Sequence, residues 1–272
     1  MTTSLPDFAS GYADVNGTRI YYEAAGSGAP VLLAHGLSLD TRMWDDQFSM
    51  LARDYRVIRY DARGHGKSVN ATDNSYSHAD DLLGLLNELE IEQAHMVGLS
   101  MGGRTILNFA IAHPDRLLSL VPVDSGVTGL TPDSEFRKRL EKIVTAANAA
   151  GVDEAIRLWC ADPLFVPAMG STACAPALTE IVGGYTGWNW TADATDLDRD
   201  VELLDSLASI TAPTLVIVGE LDLPDFQTAA TAMESHIGGA RKSVMSGVGH
   251  MSNMENPAGF NSLLSEFLAG VS

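Results

Sequence analysis

The chain has 272 residues, enough for one α/β domain with an insertion or for two small domains, and long enough to bury a large core. Its formal charge of −18, from 17 basic and 35 acidic side chains, disfavours nucleic acid and acidic membrane as partners, and 46% hydrophobic against 19% charged residues excludes a disordered chain. Residues 1–10 lack a basic run followed by an apolar core, no segment approaches the ~20 apolar residues that span a bilayer, and Cys160 and Cys174 make no disulfide framework, so a reduced, cytoplasmic protein is expected.

Residues 12–15 and 18–24 read as short strands joined by Asn16-Gly17, a dipeptide that favours a two-residue hairpin. Gly26-Ser27-Gly28 breaks the chain. Residues 31–34 are then fully apolar, as in a strand buried on both faces, and end at His35-Gly36-Leu37. A helical pattern covers about 43–53, a strand 56–60, and a turn runs from Asp61 to Ser68. Residues 77–89 read as a helix with Ser77 as N-cap and Asp80 and Asp81 in the first turn. An apolar strand at 94–99, a helix at 101–113 closed by His113-Pro114, and a buried strand at 117–123 ending at Asp124 follow.

From 125 to 206 strand-like runs stop, and helical patterns take over at 133–149, 152–160, 177–185 and 199–207. The sheet resumes at 214–219, followed by a helix at 224–237, a strand at 242–245 and a last helix with Pro257 at its first position. Strands alternating with helices predict a mostly parallel sheet covered on both faces. The expected division is a core of 1–124 and 207–272 with a helical cap inserted at 125–206.

The chemistry centres on Gly98-Leu99-Ser100-Met101-Gly102, a Gly-x-Ser-x-Gly between strand and helix. So sharp a turn holds the serine in sparsely populated backbone, at a cost of about 1–3 kcal/mol, and exposes its Oγ at a helix start. A serine hydroxyl needs a base, and the base needs an orienting group. His250, in the glycine-rich loop after the last strand, is the candidate base. His35 and His65 read as structural turn residues. Asp222, after the strand at 214–219, is the candidate orienter. Asp124 is a second position from which an acid could reach the same histidine, Glu220 reads as a solvated or supporting carboxylate, and Asp225 is expected to cap the following helix. The oxyanion formed in acyl transfer needs donors, expected to be the backbone N–H groups of Met101 and Leu37. Without a Cys/His cluster of zinc-like spacing, neither metal nor cofactor is implied.

These segments resemble the α/β-hydrolase superfamily over nearly the whole chain: His35-Gly36, Asp61-x-Arg63-Gly64-His65-Gly66-x-Ser68, Gly98-Leu99-Ser100-Met101-Gly102-Gly103, Gly219-Glu220-x-Asp222, and Gly249-His250 with Glu255-x-Pro257. The resemblance implies an eight-stranded α/β-hydrolase fold and a Ser100-Asp222-His250 triad in that chain order. Serine at position 100 argues against the dehalogenase and epoxide-hydrolase branches, which use aspartate there. Small bacterial carboxylesterases and the 3-oxoadipate enol-lactonase-like group are the most similar branches.

In the cap, Trp159, Leu164, Phe165, Val166, Met169, Trp188 and Trp190 divide between the cap's own core and an apolar substrate pocket. Trp159, Phe165 and Trp188, with Trp44 from the core, are the candidate pocket residues, and Arg104 or Arg157 would be needed to hold an anionic lactone. Together these features predict a serine hydrolase acting on a small, largely uncharged ester or lactone. Carbon–carbon hydrolysis of a diketone, cofactor-free perhydrolysis and a non-catalytic ligand receptor are the alternatives. The oligomeric state is not readable from the sequence.

Overall fold

The computed structural model describes residues 5–68, 75–130, 134–199 and 202–271. Eight strands form one sheet: β1 (Ala9–Val15), β2 (Thr18–Ala25), β3 (Pro30–Ala34), β4 (Arg56–Tyr60), β5 (Ala94–Leu99), β6 (Leu117–Val123), β7 (Leu215–Gly219) and β8 (Arg241–Met245). Their spatial order is β1-β2-β4-β3-β5-β6-β7-β8, with β2 antiparallel to both neighbours and every pair from β4 onward parallel. Asn16 and Gly17 take φ of 45° and 75°, the two positive values that a two-residue hairpin needs to match strand twist.

Alternate residues of the parallel strands serve opposite faces. Val31, Leu33, Val57, Val97, Leu99, Val121 and Ile217 join one apolar core, and Leu32, Ala34, Ile58, Met96, Leu120, Val216 and Val218 join the other. The apolar runs seen in the sequence are therefore strands covered twice. One cover holds α2 (His78–Glu88), α3 (Met101–Ala112) and α10 (Pro224–His236); the other holds α1 (Asp45–Leu51) and α12 (Pro257–Gly270). Ser77 accepts from the Asp80 N–H at 3.0 Å, and Asn256 caps α12 through the Gly259 N–H at 3.0 Å. Leu223 rather than Asp225 precedes α10, and no side chain caps that helix, so the expected Asp225 cap is not formed.

Between β6 and β7 the described elements are helical: α4 (Glu135–Ala150), α5 (Val152–Cys160), α6 (Val166–Gly170), α7 (Ala175–Gly183), α8 (Trp188–Thr191) and α9 (Leu203–Ser206). The expected start at Asp133 lies outside the described residues. The single helix expected at 199–207 is instead broken into a 3-10 turn at Leu197–Arg199, α9 and a second 3-10 turn at Leu207–Ser209; Asp200 and Val201 lie outside the described residues. The helix expected at 43–53 begins as a 3-10 turn, Thr41–Trp44, because Asp40 accepts from the Arg42 N–H and starts the turn early. Short α6 and α8 have too few residues to show a helical period. The helical segment shares the β3-to-β7 core through Trp159, Leu164, Phe165, Leu178 and Trp190. None of the described helices is long and apolar enough to cross a membrane.

Gly102, in the first turn of α3, packs backbone against backbone on β3. A Cβ there would lie 2.2 Å from the Ala34 carbonyl oxygen. Gly102→Ala is expected to lower the unfolding free energy by about 1–3 kcal/mol, as overpacking does. Urea unfolding followed by circular dichroism checks this, and an unchanged midpoint would show that the contact has room.

Candidate active site

Parallel strands that point the same way bring their carboxyl ends to one edge. Here the ends of β3, β5, β6, β7 and β8 lead into Leu37, Ser100, Asp124, Asp222 and His250 respectively. Ser100 sits at φ 55°, ψ −108°, outside the regions open to most residues, and its N–H donates to Val123 C=O at 2.9 Å. That conformation depends on what flanks it. A Cβ at Gly98 would lie 2.4 Å from the Gly102 carbonyl oxygen, so strand and helix can meet around Ser100 only without side chains.

His250 sits in a loop that Glu255, from the short helix after it, holds in place. Glu255 accepts from the Gly249 N–H at 2.8 Å and the Met251 N–H at 3.0 Å, on either side of the histidine. Imidazole Nδ1 lies 2.9 Å and 3.1 Å from the two Asp222 carboxylate oxygens, which fixes the tautomer as Nδ1–H donating. Asp222 Oδ1 also accepts from the Leu223 N–H at 2.7 Å. The Phe226 ring, 4.3 Å from the imidazole centroid, closes one side. Nε2 is buried and has no hydrogen-bond partner among the described residues. Burial pulls the imidazolium pKa down; the charge and hydrogen bond of Asp222, with Asp124 and Glu255 adding, outweigh it, and the net direction is upward.

Asp124 does not reach the imidazole as its acid. Its Oδ1 accepts from the Gly219 N–H at 2.8 Å, and its Oδ2 from the Ser252 hydroxyl at 2.6 Å. It thus ties the end of β7, three residues before Asp222, to the start of α11 (Ser252–Glu255), two residues after His250. Burial and the neighbouring Asp222 charge push the Asp124 carboxyl well above the usual range. Glu220 is exposed and accepts from the Ser246 hydroxyl and the Gly247 N–H.

His65 lies in a turn, as expected, whereas His35 directly precedes the turn closed between Gly36 and Leu39. His35 donates from Nδ1 to Gly36 C=O at 2.8 Å and accepts at Nε2 from the Ala62 N–H at 2.8 Å, a pair of roles that only a neutral imidazole fills. Burial holds it neutral by lowering its pKa.

Ser100 and His250 line one cavity of about 940 Å³, together with Leu37, Met101, Trp159 and Phe165. The N–H groups of Leu37 and Met101 make no hydrogen bond to any described residue. Phe136, Leu140 and Val144 of α4, four residues apart, line the wall, a helical stripe whose purpose the sequence pattern alone could not separate from core packing.

Two pocket expectations are not met. Trp44 is fully buried with its ring 6.1 Å from Phe260 of α12, because the 3-10 turn aims it into the core. Trp188 lies over Gly64, whose missing side chain makes the space, and 5.2 Å from Tyr76. Arg157 pairs with Glu154 on the surface, whereas Arg104 lines the cavity and pairs with Asp196 at 2.6 Å. No group of three or more His, Cys, Asp or Glu that could hold a metal occurs among the described residues.

Known proteins resemble the chain over most of its length. The sequence profile of the alpha/beta hydrolase fold matches residues 29–150. A 3-oxoadipate enol-lactonase of Acinetobacter baylyi is 30% identical over 249 residues, 89% of each chain. The enol-lactonase structure from Burkholderia xenovorans superposes with a TM-score of 0.81 at 26% identity, covering 95% of this chain and 100% of that one. A thermophilic esterase from Thermogutta terrifontis gives 0.82 at 26% identity, covering 97% and 99%.

A raised folded-state pKa means that His250 binds its proton more tightly in the folded protein. Its contribution to stability is fully present below the unfolded value of 6.5 and lost as pH rises through the folded value. NMR titration of the ring proton, assigned with His250→Gln, is expected to give a midpoint above 6.5, and Asp222→Asn should bring it below the wild-type value. A wild-type midpoint under 6.5 would contradict the electrostatic reading.

Proposed function

The chain belongs to the alpha/beta hydrolase family, and from that premise we propose that it is a carboxylic ester hydrolase cleaving an uncharged ester or lactone through Ser100, His250 and Asp222. One observation carries the reading. His250 gives Nδ1–H to Asp222 and keeps Nε2 without a partner, at the edge of a cavity that the strained Ser100 also lines. His65, His78 and His113 also have a buried Nε2 without a described partner, so what singles out His250 is the combination of that Nε2 with Asp222 on Nδ1 and a place on the cavity that Ser100 lines. The enol-lactonase and esterase relatives support the same bond type.

In this reading His250 Nε2 takes the Ser100 proton as Oγ attacks the carbonyl carbon. The carbonyl oxygen becomes an oxyanion accepting from the Leu37 and Met101 N–H groups, with the start of α3 adding a favourable dipole. His250 returns the proton to the leaving alkoxide and the acyl group stays on Ser100. A water molecule then gives one proton to His250 as its oxygen bonds to the acyl carbon; His250 passes that proton to Ser100 Oγ as the bond between Oγ and the acyl carbon breaks, and the acid departs. With a lactone, acid and alcohol leave as one molecule. Asp222 stays ionised and stabilises the imidazolium.

The cavity limits the substrate. Arg104 and Arg137 face Glu141, Glu202 and Asp225 on its lining, and Arg104 is already engaged by Asp196. An anionic substrate gains no net attraction there. The volume, near the upper end of ligand pockets, exceeds what a short ester fills and admits an apolar arm along Phe136, Leu140 and Val144. Residues 125–206, which supply that wall, act as the cap.

Turnover of p-nitrophenyl esters of graded acyl length tests the proposal. Ser100→Ala and His250→Ala are each expected to lower kcat by about 10⁴-fold or more. The acid limb of kcat/KM should have its midpoint above pH 6.5, since the base works only when neutral. Turnover that survives in Ser100→Ala would rule the mechanism out.

A further inference from the structure

The loop after β3 is a tight turn. The Leu39 N–H donates to Gly36 C=O at 3.2 Å, and Ser38, its third residue, has a φ of 63°. Turns of that kind reserve the position for Gly or Asn, and a serine persists there only where its surroundings enforce it. From the sheet side, His35 holds the same Gly36 carbonyl. From the cap side, the Trp159 Nε1–H donates to Ser38 Oγ at 2.6 Å, across 121 residues of chain. Both residues are almost fully buried, Ser38 at 1% exposure and Trp159 at 2%.

Burying an indole does not by itself produce such a bond. The Nε1 atoms of Trp44, Trp188 and Trp190 are also buried, and none has a partner among the described residues. The Trp159 ring is meanwhile wedged edge-on against Phe165 at 5.1 Å, and the Trp159 and Leu37 side chains line the same cavity as Ser100. A bond buried in this way is short, directional and unscreened, so it can hold a turn in a conformation that it would otherwise leave.

We propose that Trp159 is a positioning residue for the oxyanion site: its indole N–H, acting through Ser38, holds the turn that presents the Leu37 amide, so that seating of the cap and competence of the oxyanion site are one event. The inference rests on the hydrolase reading above. It follows that substrate packed against the Trp159 face also steadies the donor that its own carbonyl will need. Cap contacts then affect the rate of bond cleavage as well as binding.

Trp159→Phe removes the N–H and keeps an aromatic ring; Ser38→Ala removes the acceptor. Each is expected to lower kcat for a p-nitrophenyl ester about tenfold with KM within about twofold, a fraction of what losing an oxyanion donor outright costs. The double variant should be no slower than either single one, since both break the same bond. A trifluoromethyl ketone provides a second readout. Ser100 Oγ adds to its carbonyl carbon, the serine proton passes to His250 and the ketone oxygen becomes the bound alkoxide. Its inhibition should weaken by the same factor as kcat/KM. Trp190→Phe, which removes an unbonded indole N–H, should leave kcat unchanged and so controls for general loosening of the cap. An unchanged kcat in Trp159→Phe, losses that multiply in the double variant, or an equal loss in Trp190→Phe would overturn the inference. Turnover that persists in Ser100→Ala would instead overturn the hydrolase reading beneath it.

Discussion

Backbone contact between α3 and the two central strands is the constraint on which the rest of the molecule depends. Gly98 and Gly102 leave no side chains where β5 turns into α3, and α3 lies against the Ala34 carbonyl at the end of β3. Ala34 is in register with Gly98, so β3 and β5 end level with each other. Ser100 and the Leu37 loop therefore leave the sheet side by side. A methyl group at either glycine would force strand and helix apart and separate Ser100 from the Leu37 loop.

The loops that leave this edge are stabilised in one recurring way. Each carries, or is met by, a polar side chain whose two acceptor atoms, or acceptor and donor, serve two separate backbone groups. Asp61 accepts from the Thr41 and Lys67 N–H groups, Asp124 from Gly219 and Ser252, and Glu255 from Gly249 and Met251. His35 does the same with one nitrogen of each kind. A buried amide left unbonded costs about 1–3 kcal/mol, so each bridge removes such a penalty, and those of Asp61, Asp124 and His35 also lock one segment to another. Asp222 and His250 belong to this set but differ in one respect: the series ends on Nε2, which has no described partner.

The helical segment completes the site from outside. It has no separate core, since Trp159, Leu164 and Phe165 pack into the cluster that covers one face of the sheet. Its first long helix buries only Ile143 and Ala147 and turns Phe136, Leu140 and Val144 toward the cavity. Apolar residues that look like core by spacing thus become a wall. The segment meets the core through side-chain bonds as well, Thr186 to Gly64 C=O, Asp196 to Arg104 of α3 and Trp159 to Ser38.

Much of this was legible in the chain itself, because it is written in local chemistry. Strand runs buried on both faces are mostly apolar, a hairpin of Asn-Gly needs two positive φ values, and a serine flanked by glycines at a strand-to-helix turn announces its own geometry. Ser100, Asp222 and His250 each sit in the turn or loop that follows a recognisable strand, and parallel strands carry such residues to one edge whatever lies between. What the tertiary structure alone decided are relations between segments with no periodic or local signature. Trp44, Trp159 and Trp188 are chemically alike, yet one fills the core, one lines the cavity and one covers a glycine, since the direction of a side chain depends on what packs around it. Asp124 and Asp222 both follow strands. Only the register of β6 against β7 makes the first a clamp between loops and leaves the second facing the imidazole.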